Sequence, residues 1–238
     1  SLRLAIALLA LVLPSAPLLA QEIEPRTYSN TPVGLNFAVA GYGYSEGGVA
    51  LDPTVPLENA KIDVHGTVLA YVRTFAVGGQ SAKFDVSVPY AWLSGTADLA
   101  GEPVERRVSG LGDPRLRLSV NLFGAPAKTL PEFRGYQQDL IIGASLLAWV
   151  PAGQYDADRL VNIGTNRWAL KPELGISKAL GPWILELSGG VVFYQDNDEF
   201  LGGTREQAPL YTAQAAVIRS FSNGIWASLS GTWYAGGR

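Results

Sequence analysis

The sequence predicts an all-β chain that crosses a membrane as an antiparallel barrel, and three observations carry that expectation. Apolar and polar residues alternate with a period of two over about nine stretches, each near the ~9–11 residues that a tilted barrel strand needs. Short and long connections alternate between these stretches. Aromatic residues collect at both ends of them, as rings do at the two interfaces of a bilayer.

Composition fits the same class. Of the 238 residues 47% are hydrophobic and 16% charged, and 27 are glycine. That is apolar for a water-soluble domain. Even so, beyond the N-terminus no window approaches the ~18 apolar residues of a helical span. The absence of cysteine excludes disulfides and thiolate metal sites. A net charge of −3, with no basic stripe interleaved with aromatics, argues against a nucleic-acid partner. The partner expected is the lipid of an outer membrane.

Residues 1–20 read as a signal peptide, with Arg3, an apolar run over 4–13 and the small Ala20 before Gln21. They imply export to the outer membrane of a Gram-negative bacterium, with the signal removed. Because the first residue is Ser, the sequence is expected to begin slightly late. Residues 21–33, holding Pro25 and Pro32, have no strand period and read as a periplasmic or lumenal lead-in. The barrel takes 34–238.

In chain order, 34–44 alternates and ends on Tyr42 and Tyr44. Two further runs, 61–75 and 82–93, flank Gly78-Gly79 and predict a hairpin. Its Val64, Val68, Phe84 and Val86 are expected to face lipid, and its His65, Arg73, Lys83 and Asp85 the lumen. A polar loop is expected over 94–112. Strand 113–122 then sets Leu116, Leu118, Val120 and Leu122 against Arg115 and Arg117. Further strands are expected at 138–150, 167–180, 183–195, 210–221 and 225–235. The link 123–137 is long where the pattern asks for a short one. Bacterial barrels have even strand counts, and the chain stops at Gly236-Gly237-Arg238. Further strands are therefore expected beyond it.

The candidate functional surface is the ionisable inner face: Asp63, His65, Tyr71, Arg73, Lys83, Asp85, Arg115, Arg117, Lys171, Glu173 and Glu186. An Arg or Lys facing lipid at the bilayer midplane costs about 2–4 kcal/mol, so these groups should point inward. They would form either a mixed-charge pore lining that selects solutes or a salt-bridged plug that fills the barrel. His65 is the sole histidine, and Ser87 or Ser119 could face it. Nothing supplies the third member of a triad, so no catalytic site is expected. The acidic run Asp196-Asn197-Asp198-Glu199 lacks the Gly and distal Glu of a calcium loop and reads as a solvated external loop. Gly110–Pro114 lacks the Lys-Ser/Thr of a phosphate loop and reads as a turn into a strand. Pro89 and Pro172 lack a ladder donor and predict bulges or strand ends. No cofactor is expected.

From about Val108 onward the sequence resembles the meta-pathway phenol degradation family of outer-membrane β-barrel proteins, often labelled simply transporters. Gly110-Leu111-Gly112-Asp113-Pro114, Gly124-Ala125-Pro126-Ala127 and Leu130-Pro131-Glu132-Phe133 carry the resemblance. So do Gly153-Gln154-Tyr155-Asp156, Asn162-Ile163-Gly164-Thr165-Asn166-Arg167-Trp168 and Lys171-Pro172-Glu173-Leu174-Gly175. Gly181-Pro182-Trp183, Asp196-Asn197-Asp198 and Phe200-Leu201-Gly202-Gly203 complete it. The resemblance implies a barrel of about a dozen strands, of which about nine lie in this chain, and passage of small hydrophobic or aromatic compounds. A non-transporting structural or adhesive barrel with a charge-plugged lumen is the alternative. The resemblance supplies no catalytic residues.

Overall fold

The computed structural model describes residues 26–48, 57–99, 101–221 and 225–237. The expected signal peptide, the first part of the expected lead-in, and residues 49–56, 100, 222–224 and 238 lie outside the described residues.

The strands are β1 Asn36–Gly48, β2 Leu57–Val77, β3 Gln80–Leu99, β4 Glu102–Leu111, β5 Arg115–Phe123 and β6 Leu140–Trp149. They continue with β7 Ala169–Leu180, β8 Trp183–Tyr194, β9 Asn197–Phe200, β10 Gly203–Arg205, β11 Leu210–Ser220 and β12 Trp226–Gly236. One antiparallel sheet runs β1-β2-β3-β5-β6-β7-β8-β11-β12, with β4 paired to β3, while β9 and β10 form a separate hairpin. The nine strands of that path coincide, within a few residues at each end, with the nine alternating stretches of the sequence. The fold is all-β, a barrel wall of meander topology.

Alternation dictates two faces. Outward point large apolar side chains such as Leu69 (68% exposed), Leu174 (64%), Leu187 (58%) and Leu229 (80%). An exposed band of this kind on every strand is a lipid-facing wall. Inward point Ser119, Ser145, Ser177 and Thr212, all buried. Residues 26–35, the described part of the lead-in and the two residues after it, lie against this inner face. Lys83 on β3 and Glu186 on β8 bond successive residues of the segment, Thr27 and Arg26. Those strands are four ladder steps apart, about 19 Å on a flat sheet at ~4.8 Å per step. The sheet therefore curls around the segment.

The structure corrects several expectations. Residues 94–112 are not a loop: β3 runs on to Leu99 and turns into β4. In this hairpin Ser94, Thr96, Glu105 and Arg107 share one face, and Leu93, Ala97, Val104 and Val108 share the other. β4 and β5 together form one interrupted strand beside β3, broken at 112–114. Pro89 lies at that break, between the part of β3 that pairs with β5 and the part that pairs with β4, and its carbonyl accepts from Gly112 N at 2.9 Å. Its missing N–H costs no ladder bond there. Pro172 is neither a strand end nor a bulge but falls in a gap of the β7–β8 register, between Leu170↔Phe193 and Glu173↔Gly190. The long link after β5 folds back on the β2–β3 turn: Ser81 N bonds Ala125 O and Ala127 N bonds Gly79 O, each at 2.9 Å. It caps the short-turn end of the wall and carries a single 3₁₀ turn, Glu132–Gly135.

Candidate functional site

Register decides which ionisable residues share the inner face. Gly78 (φ 56°) and Gly79 (φ 79°) both take the left-handed conformation, which gives the primed hairpin turn. With two residues in the turn, Val77 pairs with Gln80 and odd positions of β2 meet even positions of β3. Lys83 thus opposes Thr74, Asp85 opposes Val72, and Phe84 opposes Arg73. The expected inward placement of Asp63, His65, Tyr71 and Arg73 is overturned: they share the outer face with Phe84, Val86 and Trp92. Val64, Val68 and Val72 take the inner face instead. Outward polar groups are tolerated here because β2 is 21 residues long, about 70 Å at ~3.4 Å per residue, against an apolar band of ~25 Å. Asp63 and His65 lie toward its long-loop end and Arg73 near its short turn. His65 belongs to an aromatic cluster, its Nδ1 2.6 Å from Tyr42 Oη and its ring 4.8 Å from that of Tyr44.

The other seven candidates share one face. One row of paired residues reads Lys83, Ser119, Ser145, Glu173, and the next reads Asp85, Arg117, Leu147, Lys171. Arg115 lies a row further on, donating from Nε to Ser87 Oγ at 3.2 Å, and Glu186 pairs with Ser177. Charges of both signs thus alternate between rows. Among them Lys171 Nζ pairs with Glu173 Oε2 at 2.9 Å, with side chains only 7% and 11% exposed. Gly190 makes room for it: a Cβ there would come within 3.1 Å of Lys171 Cε and 3.2 Å of Glu173 Cβ.

The sequence reading missed the groups that fill this face. Tyr28, 3% exposed, donates its hydroxyl to Glu173 Oε1 at 3.0 Å and lies 3.3 Å from Ser145 Oγ. Its ring lies on the cross-strand pair Gly143↔Gly175, where added Cβ atoms would fall 2.2 and 2.0 Å from ring carbons. Two glycines at inward positions of adjacent strands were the available signal, since strand glycines mark close approach. The segment is pinned further by Lys83 Nζ to Thr27 O (2.5 Å), Arg26 N to Glu186 Oε2 (2.7 Å), and the Arg26 guanidinium 5.6 Å from the Trp226 ring. At the short-turn end Thr74 Oγ1 donates to Pro32 O (2.7 Å) and accepts from Leu35 N (2.9 Å). Beside Tyr28 a small cleft of about 20 Å³ is lined by Arg117, Lys171, Glu173, Glu186 and Gln214 among others. Trp226 and Trp149, expected in the aromatic girdles, point inward, opposite Ser220 and Arg115. Trp92, Phe193, Tyr211 and Trp233 do lie exposed on the outside.

The long-loop end is knotted. Asp113, buried at the break between β4 and β5, accepts from Gly153 N (2.9 Å), Thr165 N (2.8 Å) and Thr165 Oγ1 (2.6 Å). Gly110–Pro114 is therefore an anchor for the 151–168 loop as well as a lead into a strand. Asp196, Asp198 and Glu199 are exposed, as expected of a solvated acidic loop, while Asn197 among them is only 2% exposed. It donates to Tyr155 Oη (2.7 Å) and Thr165 O (3.3 Å), joining the two long loops. Arg167, 5% exposed, bonds Gln207 and stacks over Tyr194 at 4.7 Å. Burial, with Arg205 nearby, pulls its guanidinium below the usual range. Among the described residues no group of three or more His, Cys, Asp and Glu side chains is placed to hold a metal.

A family model described as "Putative MetA-pathway of phenol degradation" matches residues 36–237. The chain belongs to this family. Among solved structures it is similar to the crystal structure of an outer membrane channel from Pseudomonas putida F1, with a TM-score of 0.65 and 22% identity over 91% of this chain and 78% of that one. The likeness is one of fold. No curated protein matches the chain. The family match covers every strand of the wall, including the Asp113 anchor and the Gly143–Gly175 pair.

Proposed function

We propose that this protein is an outer-membrane channel for small hydrophobic or aromatic compounds, which cross by passive or facilitated diffusion. The carrying observation is the two-sided inner face. Phe37, Val39, Val64, Val68 and Val72 line it on β1 and β2, while Lys83, Arg117, Lys171, Glu173 and Glu186 line it from β3 to β8. An apolar wall facing a hydrogen-bonding one gives a path for a solute with an apolar body and a polar group. The family and the fold shared with an outer membrane channel support the reading. In it the long loops face outside, the outer face meets lipid, and the work is transport without catalysis.

The segment lying across the inner face favours a second reading, a structural or adhesive barrel held shut by its own N-terminal residues. Uptake of labelled toluene by cells with an intact lipopolysaccharide leaflet separates the two. Cells producing the full-length protein should take it up several-fold faster than cells without it. Equal rates would sink the channel.

A further inference from the structure

We propose that Tyr28 occupies a phenol-binding site on the inner wall, and that phenolic solutes bind there by displacing it. The inference rests on the channel reading and adds to it a site, a recognised group and a competitor. Three features build the site. Its floor is bare backbone: Gly143 and Gly175 are paired across β6 and β7, and a side chain on either would strike the ring. The Tyr28 ring thus lies against a patch of the wall that carries no side chain. Its polar end is a carboxylate fixed in advance, because Glu173 Oε2 is held by Lys171 Nζ at 2.9 Å, leaving Oε1 for a hydroxyl donor. Ser145 Oγ, 3.3 Å from the tyrosine oxygen, offers a second partner. Its approach is through the adjoining cleft lined by Arg117, Glu186 and Gln214, which at about 20 Å³ admits a solute only as the Tyr28 ring withdraws.

The occupant is itself a phenol. Its segment is attached to the wall by hydrogen bonds and a cation–π contact, all of which are exchangeable. A solute with a ring and a hydroxyl reproduces every contact that Tyr28 makes, so exchange is close to balanced and is driven by solute concentration. A ring without a hydroxyl leaves the buried Glu173 Oε1 without its donor and should bind at least about tenfold more weakly.

Calorimetry on the full-length protein in detergent, with p-cresol and toluene as probes, tests this. Tyr28→Ala should bind p-cresol at least about tenfold more tightly than wild type does, and about tenfold more tightly than it binds toluene. Adding Gly175→Val should abolish the p-cresol signal. Tyr28→Phe, which keeps the ring and the packing, should bind p-cresol more tightly than wild type because its own hold on the site is weaker. Equal affinity of Tyr28→Ala for p-cresol and toluene, or binding that survives Gly175→Val, overturns the proposal. Toluene uptake without a p-cresol site would remove this inference and leave the channel standing. A p-cresol site without uptake would do the reverse.

Discussion

The inner faces of β1–β2 and of β5–β8 belong to one sheet and differ in almost every respect. The first is largely valine, phenylalanine and glycine, with Ser45 and Thr74 its polar members and no ionised group. The second carries Arg115, Arg117, Lys171, Glu173 and Glu186, with the Tyr28 ring laid across it. A filled barrel could use either surface throughout. Setting one against the other makes sense for a passage in which a solute's ring follows the apolar wall while its polar atoms exchange water for the charged one.

The contrast can be broken by inverting one wall. Leu69→Arg and Val68→Arg are adjacent substitutions on opposite faces. The first puts a cation into the lipid band, at about 2–4 kcal/mol near the midplane, and should sharply reduce folded barrel on heat-modifiability gels. The second should fold and slow toluene uptake. Equal folding defects would mean that the faces are wrongly assigned.

The ring slot comes next in size. Gly175→Val places a side chain where the Tyr28 ring lies, an overpacking worth about 1–3 kcal/mol. The segment should leave the wall, seen as faster protease cleavage within 26–35 and larger single-channel conductance. Unchanged cleavage would place the segment elsewhere. Asp113→Ala removes an acceptor that serves three donors of the 151–168 loop. Hydrogen bonds to a charged group contribute about 1.5–3 kcal/mol each at most, so that loop should be cut first in limited proteolysis while the strands persist.

The smallest effect is at the cap. The N–H and hydroxyl of Thr129 donate to Glu132 and hold its carboxyl below the usual carboxylate range. A depressed folded-state value means that the contact supports the turn above the unfolded value and is lost as pH falls through the folded one. The protection of the Thr129 amide, its exchange rate compared with that of an unstructured amide at the same pH, should fall on acidification through that range in wild type and stay level in Glu132→Gln.

The strands were legible because lipid outside and water inside impose a period of two that nothing else in the chain mimics, and all nine stretches became strands of the wall. The faces of β2 were harder. Alternation fixes which residues share a face but not which face is inward, and His65 and Arg73 look lumenal by charge alone. The Gly78-Gly79 turn held the answer in the sequence, because a two-residue loop pairs 77 with 80 and so sets Arg73 opposite Phe84. Residues 94–111 read as a loop because of their polar and glycine content, which hid the largely apolar face that Leu93, Ala97, Val104 and Val108 share in the hairpin they form. The site was half legible. Its charged rows followed from alternation around Arg115, Arg117, Lys171 and Glu173. Tyr28 did not, because a segment without periodicity gives no sign of the wall it lies on.

One labelling experiment bears on the whole account. Val68→Cys and Leu69→Cys, each made alone in this cysteine-free protein, would be exposed to a membrane-impermeant maleimide in intact outer membranes. The Val68→Cys thiol should react, the Leu69→Cys thiol should not, and toluene should slow the reaction of the first. Labelling of the Leu69→Cys variant in place of Val68→Cys, or a Val68→Cys rate indifferent to toluene, would contradict an apolar inner wall on the solute's path.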